Sequence, residues 1–465
     1  MSESMSQTKS AQRSGQATTD RARPIRIGCG AGFANDRIDP ARDLAERGKL
    51  DFLFFECLAE RTLAHSQLAR SQDADGGFNP TLARRLEAVL PGCRANGTRI
   101  VTNAGAANPW GAGLCAAEVA RKAGFTGMRV AVIDGDDVLD LIAAETSLLE
   151  GGRLGVLDRK LIGANAYLGA DVIADALDDG ADIVITGRVT DPALVLGPLI
   201  SAYGWDRSDW DILGAGTLVG HLLECSAQVT GGYFADPGIK DVENLAFVGY
   251  PFAEVAADGS AVISKLDGTG GLVSRQTVIE QLFYEIHDPA AYVTPDVVAD
   301  FSRVQIDEDG PDRVRVSGAL GKARPAHYKA TIGLDGGFLA EADIGYAGFG
   351  AARRARLAAD ILCKRMDKLH GVTGLRIDLI GLASHHTTAR PQDLDNEARD
   401  VRMRAALRTD DKAIAEALLV EVETLWIAGP AGGGGVRGRI VPSVVTRSAL
   451  IEREKVKPRI RMITA

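Results

Sequence analysis

The stretch LDFLFFECLAERT, residues 50–62, decides the fold reading. Leu53, Phe54 and Phe55 form a near-continuous apolar run, which is how a strand buried on both faces reads. Glu56 then stands where that strand ends, with Cys57 beside it and Glu60 and Arg61 about one turn later. An acidic side chain delivered to the end of a buried strand poses the functional question.

Runs of the same kind occur at IRIG (25–28), TRIVTN (98–103), MRVAVID (128–134) and ADIVITG (181–187). Between them lie helical patterns over 40–48, 79–95, 109–124 and 170–179. Asn108-Pro109 and Asp191-Pro192 mark helix starts, since Pro fits the first turn without losing a needed hydrogen bond. The alternation predicts an α/β fold whose N-terminal part is a doubly wound, mainly parallel sheet with helices on both faces. Beyond about residue 240 the texture changes: RVQID, DRVRVSGAL and AHYKATIGL alternate polar and apolar residues, as strands with one wet face do. Helical patterns recur at 274–286, 350–370 and 396–424. The expected organisation is a disordered tail over 1–23, a Rossmann-like α/β domain over 24–238 and a second α+β domain over 239–465.

Bulk properties agree with two domains and exclude several classes. At 465 residues the chain is long for a single core. With 46% hydrophobic and 25% charged residues and no apolar run long enough to cross a bilayer, it reads as neither a disordered chain nor a membrane protein. A formal net charge of −9 disfavours nucleic acid as the main partner, because phosphate contacts need clustered Lys and Arg. The six cysteines, 29, 57, 93, 115, 225 and 363, include no CxxC pair and sit among apolar neighbours, as reduced thiols in a cytosol do. The first 23 residues lack the apolar segment of a secretory signal, and the expected location is cytoplasmic.

In open parallel sheets ligands collect beyond the carboxyl ends of the strands. Those ends carry GCGAGFANDR (28–37), ECLAER (56–61), NAGAANPWGAG (103–113) and GRVTDP (187–192). Gly30 and Gly32 would let backbone amides approach an anionic ligand, or serve only a turn; the spacing is not G-x-G-x-x-G, which leaves a nicotinamide cofactor weakly supported. Glu56, partly desolvated at the lip of its strand, would be a general acid or base; the competing reading is a helix cap or an ion pair with Arg61 or Arg99. Cys57 reads as a small buried filler. Asn103 could polarise a carbonyl oxygen, whereas Asn108 reads as a helix cap. Arg188 offers a forked donor for a carboxylate, or a structural pair with an acid, and Asp191 could cap the next helix.

GAGTLVGHLLECSAQ (214–228) reads as a helix on which Thr217, His221, Glu224 and Gln228 form a polar stripe, facing either a polar cavity or solvent. His221 is its candidate proton carrier. Two such ligands without HExxH do not make a metal site. Gly270 and Gly271, in KLDGTGGLVS (265–274), could form an amide nest for an anion, or a plain turn. His385 and His386 read as surface residues.

The blocks GAGFANDRIDPARDLAERGKLDFLFFECLAERT, IVTNAGAANPWGAG, ITGRVTDPALVLGPL, GTLVGHLLECSAQVTGGYFADPG and DGTGGLVSRQTVIEQLFYEIHDPAAYVTPDV together resemble the acyclic terpene utilisation AtuA-like family, over roughly residues 25 to 465. The resemblance implies small branched carboxylic acids or their CoA thioesters as ligands. It also implies a small ferredoxin-fold segment, appended in longer members and expected here as a separate subunit or not at all. It carries over no catalytic residues. Taken with the site residues, the expectation is a non-redox hydratase/dehydratase (lyase) or isomerase with Glu56, Asn103 and His221 catalytic and Gly30, Gly32, Arg188, Asp191, Gly270 and Gly271 binding substrate. It needs no cofactor and no metal and works as a homo-oligomer. The alternative is a non-catalytic acyl-CoA or carboxylate-binding subunit of a complex with the ferredoxin-fold partner.

Overall fold

The computed structural model describes residues 23–385 and 398–465. Residues 1–22 of the expected tail, and His386, lie outside the described residues. The chain divides into two compact units, one comprising residues up to 158 with 162–333 and 446–465, the other 159–161 and 334–445.

In chain order the first unit begins with β1 (Ile25–Ala31), α1 (Asp39–Arg47), β2 (Phe52–Phe55), α2 (Glu60–Gln72), α3 (Leu82–Asn96), β3 (Arg99–Thr102), α4 (Pro109–Lys122) and β4 (Arg129–Asp134). It continues through β5 (Leu161–Ala166), α5 (Asp171–Asp178), β6 (Ile183–Thr186), α6 (Ala193–Tyr203) and α7 (Trp210–Glu224). Next come β7 (Pro251–Val255), β8 (Ala261–Lys265) and α8 (Arg275–Phe283), then the short strands β9 (Tyr292–Val293), β10 (Val298–Asp300), β11 (Gln305–Glu308), β12 (Arg313–Ser317) and β13 (Leu320–Lys322). The second unit holds most of β14 (His327–Ala347), α9 (Ala351–His370), β15 (Arg376–Ile380), β16 (Asp400–Thr409), α10 (Lys412–Ala428) and most of β17 (Gly433–Glu452); β18 (Arg459–Thr464) belongs to the first.

The five strands expected from the sequence form the parallel centre of the main sheet, in the order β1-β2-β3-β6-β4. All four residues of β2 are buried, which follows from its place between β1 and β3 with helices on either face. Leu53 and Phe55 enter the core built with α1, α3 and α4. Phe52 and Phe54 point the other way, as alternate strand residues must, and α6 packs on β2. The fold is α/β, as the alternation of patterns implies.

Two expectations need correcting. The boundary placed at 238/239 falls inside the first unit, because β7, β8, β12 and β11 extend the same sheet beyond β1 as antiparallel strands, and β18 closes its other edge against β4. The helical pattern assigned to 396–424 is a strand followed by a helix. In β16, Val401, Met403, Ala405 and Leu407 are buried while the residues between them are less so, a period of two. Its Ala and Arg residues favour helices, and tertiary pairing with β14 and β15 overrides that preference.

The second unit is a sheet in the order β15-β16-β14-β17 covered by α9 and α10. Ala340, Ala342, Ile344 and Tyr346 pack with Leu362, Met366, Leu418, Val422 and Leu425 in its core. Among the described residues, no helix is long and apolar enough to cross a membrane.

Candidate functional site

The carboxyl end of β2 delivers Glu56 to the wall of a cavity of about 840 Å³ in the first unit. Three of the four expected loops reach this cavity: Gly32 to Arg37, Glu56 to Glu60, and Asp191. The fourth, 103–113, reaches it only indirectly, through Asn103. The remaining wall comes from the end of α7 and the turn after it, including Glu224, Cys225, Gln228 and Tyr233, from Leu245 to Tyr250, and from Tyr284 and Glu285.

Glu56 is only 7% exposed. Its Oε1 accepts from the Leu58 amide at 2.6 Å and from Asn103 Nδ2 at 3.0 Å. Burial, and the nearby charge of Asp191, push its carboxyl up to about 8, against the pull of Arg188 and the two hydrogen bonds. With Oε1 occupied as a double acceptor, the proton of the neutral acid belongs on Oε2. The carboxyl is therefore a donor near neutral pH and an acceptor above it.

Asn103 is fully buried and stands behind Glu56, its Oδ1 accepting from the Cys57 amide at 2.7 Å. It orients the carboxyl and does not face the cavity, so the oxyanion role expected of it is not what the geometry provides. Cys57 is the buried filler it reads as, its thiol pushed up to about 12 by burial. Asn108 caps α4 through the Gly111 amide.

Arg188 is 1% exposed, and its guanidinium is already engaged. Nη1 donates to the Leu58 carbonyl, Nη2 to Asp191, and the carbon of the fork lies 4.2 Å from the centre of the Tyr167 ring. Burial works against its charge, but Asp191, Tyr167, Glu56 and Glu60 more than offset this and keep it protonated. The structural pair is present, Nε has no hydrogen-bond partner among the described residues, and Arg188 is not part of the cavity wall, so the substrate clamp expected of it is not what this geometry provides. Asp191, by contrast, does line the cavity. Glu60, also on the wall, accepts from Tyr167 and from Lys329 at 3.1 Å; burial opposes its charge, yet these partners and Arg188 hold its carboxyl down at about 2.

Of the expected polar stripe, Thr217, His221 and Glu224 are buried on α7; the helix ends at Glu224, and Gln228, in the turn beyond it, is half-buried on the cavity wall. His221 lies behind Glu224, with Nδ1 3.1 Å from Glu224 Oε1 and Nε2 3.1 Å from the Leu282 carbonyl. Burial pushes the imidazole down to about 4, so it is neutral near pH 7, and pushes the Glu224 carboxyl well up. Glu224, rather than His221, reaches the cavity.

The glycines divide. Gly32 lines the cavity, and its amide donates to Asp36 at 2.9 Å; a Cβ there would lie 2.6 Å from the backbone of Cys225. Gly30 instead makes room for the Phe55 ring, 2.3 Å from where its Cβ would stand. Gly270 and Gly271 form no anion nest, because their amides donate to the carbonyls of Phe247 and Glu243. Both lie off the cavity wall. His385 is exposed, as expected.

Sequence reading missed Glu60, Glu285, Asp36 and the aromatic rim of Phe33, Tyr233 and Tyr284. One usable signal existed for Glu60, its place one turn beyond Glu56. The left-handed backbone of Glu285 (φ 58°) on the cavity wall, and of Ser226 (φ 52°) between the lining residues Cys225 and Ala227, has no sequence signature, and such strained positions cluster at functional sites. Among the described residues, no three His, Cys, Asp or Glu side chains are grouped to hold a metal ion.

No curated protein and no solved structure matches this chain. A family model does, over residues 25–462, which include every residue of the cavity. The chain belongs to the acyclic terpene utilisation family AtuA.

Proposed function

We propose that this chain is a cytosolic, non-redox enzyme that moves protons on a small branched carboxylic acid or its CoA thioester, as a hydro-lyase or an isomerase. Glu56 carries the reading. A general acid or base works best when its titration lies close to the operating pH, and burial with Asp191 nearby moves this carboxyl up to about 8. Its two hydrogen bonds on Oε1 hold it in one orientation, which leaves Oε2 for a ligand. Glu56 takes or returns the proton next to the carbonyl, with Asn103 and Leu58 as positioning groups and Asp191 as the charge that keeps the proton on. Glu224, backed by His221, is the second group able to hold a proton at this cavity.

Family membership supports the substrate class. Acyclic terpenes are methyl-branched chains, and dismantling a branched acyl skeleton calls for water to be added or removed, or a double bond to be shifted, beside a carbonyl group. Each of these steps is a proton transfer of the kind Glu56 is placed to make.

The test is turnover by the purified chain. In deuterated buffer, branched enoyl or hydroxyacyl thioesters should gain deuterium next to the carbonyl or interconvert by hydration. Glu56→Gln should lower that rate by roughly 10²–10⁴-fold, the usual contribution of one general acid or base. Undiminished turnover by the variant overturns the assignment. Turnover by the isolated chain also opposes the alternative of a binding subunit that acts only with a ferredoxin-fold partner.

A further inference from the structure

Two features of the cavity are not used by the chemistry assigned to Glu56. The first is charge. Asp36, Glu60, Asp191 and Glu285 share its wall with Glu56. The guanidinium of Arg188 is occupied by Leu58 and Asp191, and Arg37 stands exposed at the rim with Nη1 on the carbonyls of Leu245 and Ala246. A carboxylate brought inside would meet like charge, and the buried cation beside it is already paired.

The second is the buried dyad. The Leu282 carbonyl can only accept, so the His221 ring proton sits on Nε2 and Nδ1 presents a lone pair. The ring is 1% exposed, packed beside Tyr292 and Phe301, and its burial disfavours an imidazolium. The proton between Nδ1 and Glu224 Oε1 therefore belongs to Glu224. Its other oxygen, Oε2, is then a carbonyl-type acceptor, buried and without a hydrogen-bond partner among the described residues. A buried acceptor left unsatisfied on a cavity wall is completed by a ligand that donates.

We infer that the cavity takes an uncharged acyl group carrying a hydroxyl, with that hydroxyl donating to Glu224 Oε2, and that it rejects the corresponding free carboxylate. This names the substrate class for the site proposed above and rests on that reading. It favours hydration and dehydration over isomerisation, because the hydroxyl is the group those reactions add or remove.

Calorimetry on the full chain near pH 7 tests it with three probes: the N-acetylcysteamine thioester of 3-hydroxy-3-methylbutanoic acid, the thioester of 3-methylbutanoic acid that lacks the hydroxyl, and the free hydroxy acid. The hydroxy thioester should bind at least about tenfold tighter than the plain thioester, the difference that one hydrogen bond to a buried acceptor makes, and at least about tenfold tighter than the free hydroxy acid, whose carboxylate meets the acidic wall. In Glu224→Leu the hydroxyl advantage should disappear while the plain thioester still binds. Glu224→Gln should keep the advantage, because its amide can donate to His221 Nδ1 and leave its oxygen as the acceptor; retained binding also shows that the variant folds. Equal binding of the free acid, a hydroxyl advantage that survives in Glu224→Leu, or no binding of any probe overturns the inference. The enzymatic reading fails separately. The binding preference without deuterium exchange leaves the inference standing and defeats catalysis, and exchange on an equally well bound carboxylate does the reverse.

Discussion

Glu56 sits between groups that pull its proton in opposite directions. Burial and Asp191 hold the proton on, whereas Arg188, the Leu58 amide and Asn103 draw it off. The amide of Asn103 stabilises the ionised form through its 3.0 Å bond to Oε1, so its removal leaves burial less opposed. Asn103→Leu should therefore raise the Glu56 titration above about 8, read as the carboxyl-carbon shift against pH in isotope-labelled protein. The Cys57 amide would also lose its acceptor, at about 1–3 kcal/mol of stability. A Glu56 midpoint that stays or falls in this variant would mean that Asn103 is structural only.

At the scale of elements, the cavity exists because α6 and α7 start and end close together. Gly220, inside α7, lies against the backbone at the head of α6: a Cβ there would stand 2.7 Å from both Cα and O of Pro192. That approach brings Asp191, just before α6, and Glu224, one turn beyond Gly220, to the same wall. In a helix interior, Gly→Ala ordinarily stabilises by about 1 kcal/mol. Here the sign should reverse, because rigid backbone rather than a flexible side chain blocks the new methyl. Gly220→Ala should destabilise by about 1–3 kcal/mol in urea titration, the usual range for overpacking. A stabilised variant would show that the helices have room to separate.

At the scale of the whole molecule, buried titrating groups set how stability depends on pH. Glu56, Asp296 and Asp136 are raised by burial to about 8, 7 and 6 from ordinary carboxylate values. Between the unfolded and folded values the native state binds more protons than the unfolded one, so each contributes stability at low pH that is lost as pH rises through its folded value. His221 acts oppositely. Held at about 4 against 6.5 unfolded, it removes stability as pH falls below about 6.5 and is silent above it. Glu60, held at about 2, matters only in acid. The thermal midpoint should accordingly fall as pH rises from about 6.5 to about 8.5, with Glu56 and Asp296 among the causes in that window, alongside the raised Glu224. Glu56→Gln, which cannot ionise, should flatten the decline; an unchanged slope would mean that Glu56 does not titrate there.

Much of this was legible in the residues themselves. Strands buried on both faces must be apolar throughout, so the runs around Phe52–Phe55, Ile100, Val130 and Ile183 announced the parallel centre of the sheet and placed Glu56 at a strand end. The α7 stripe was visible as periodicity, but whether it met water or an interior depended on what packs over it, here Leu282, Tyr292 and Phe301. The antiparallel extension of the sheet past residue 239 was hidden because alternation reports one wet face and not which neighbour a strand pairs with. Arg188 shows the limit most clearly. Its charge and position were in the sequence, but its pairing with Leu58, Asp191 and Tyr167, off the cavity wall, was decided by distant segments meeting in space.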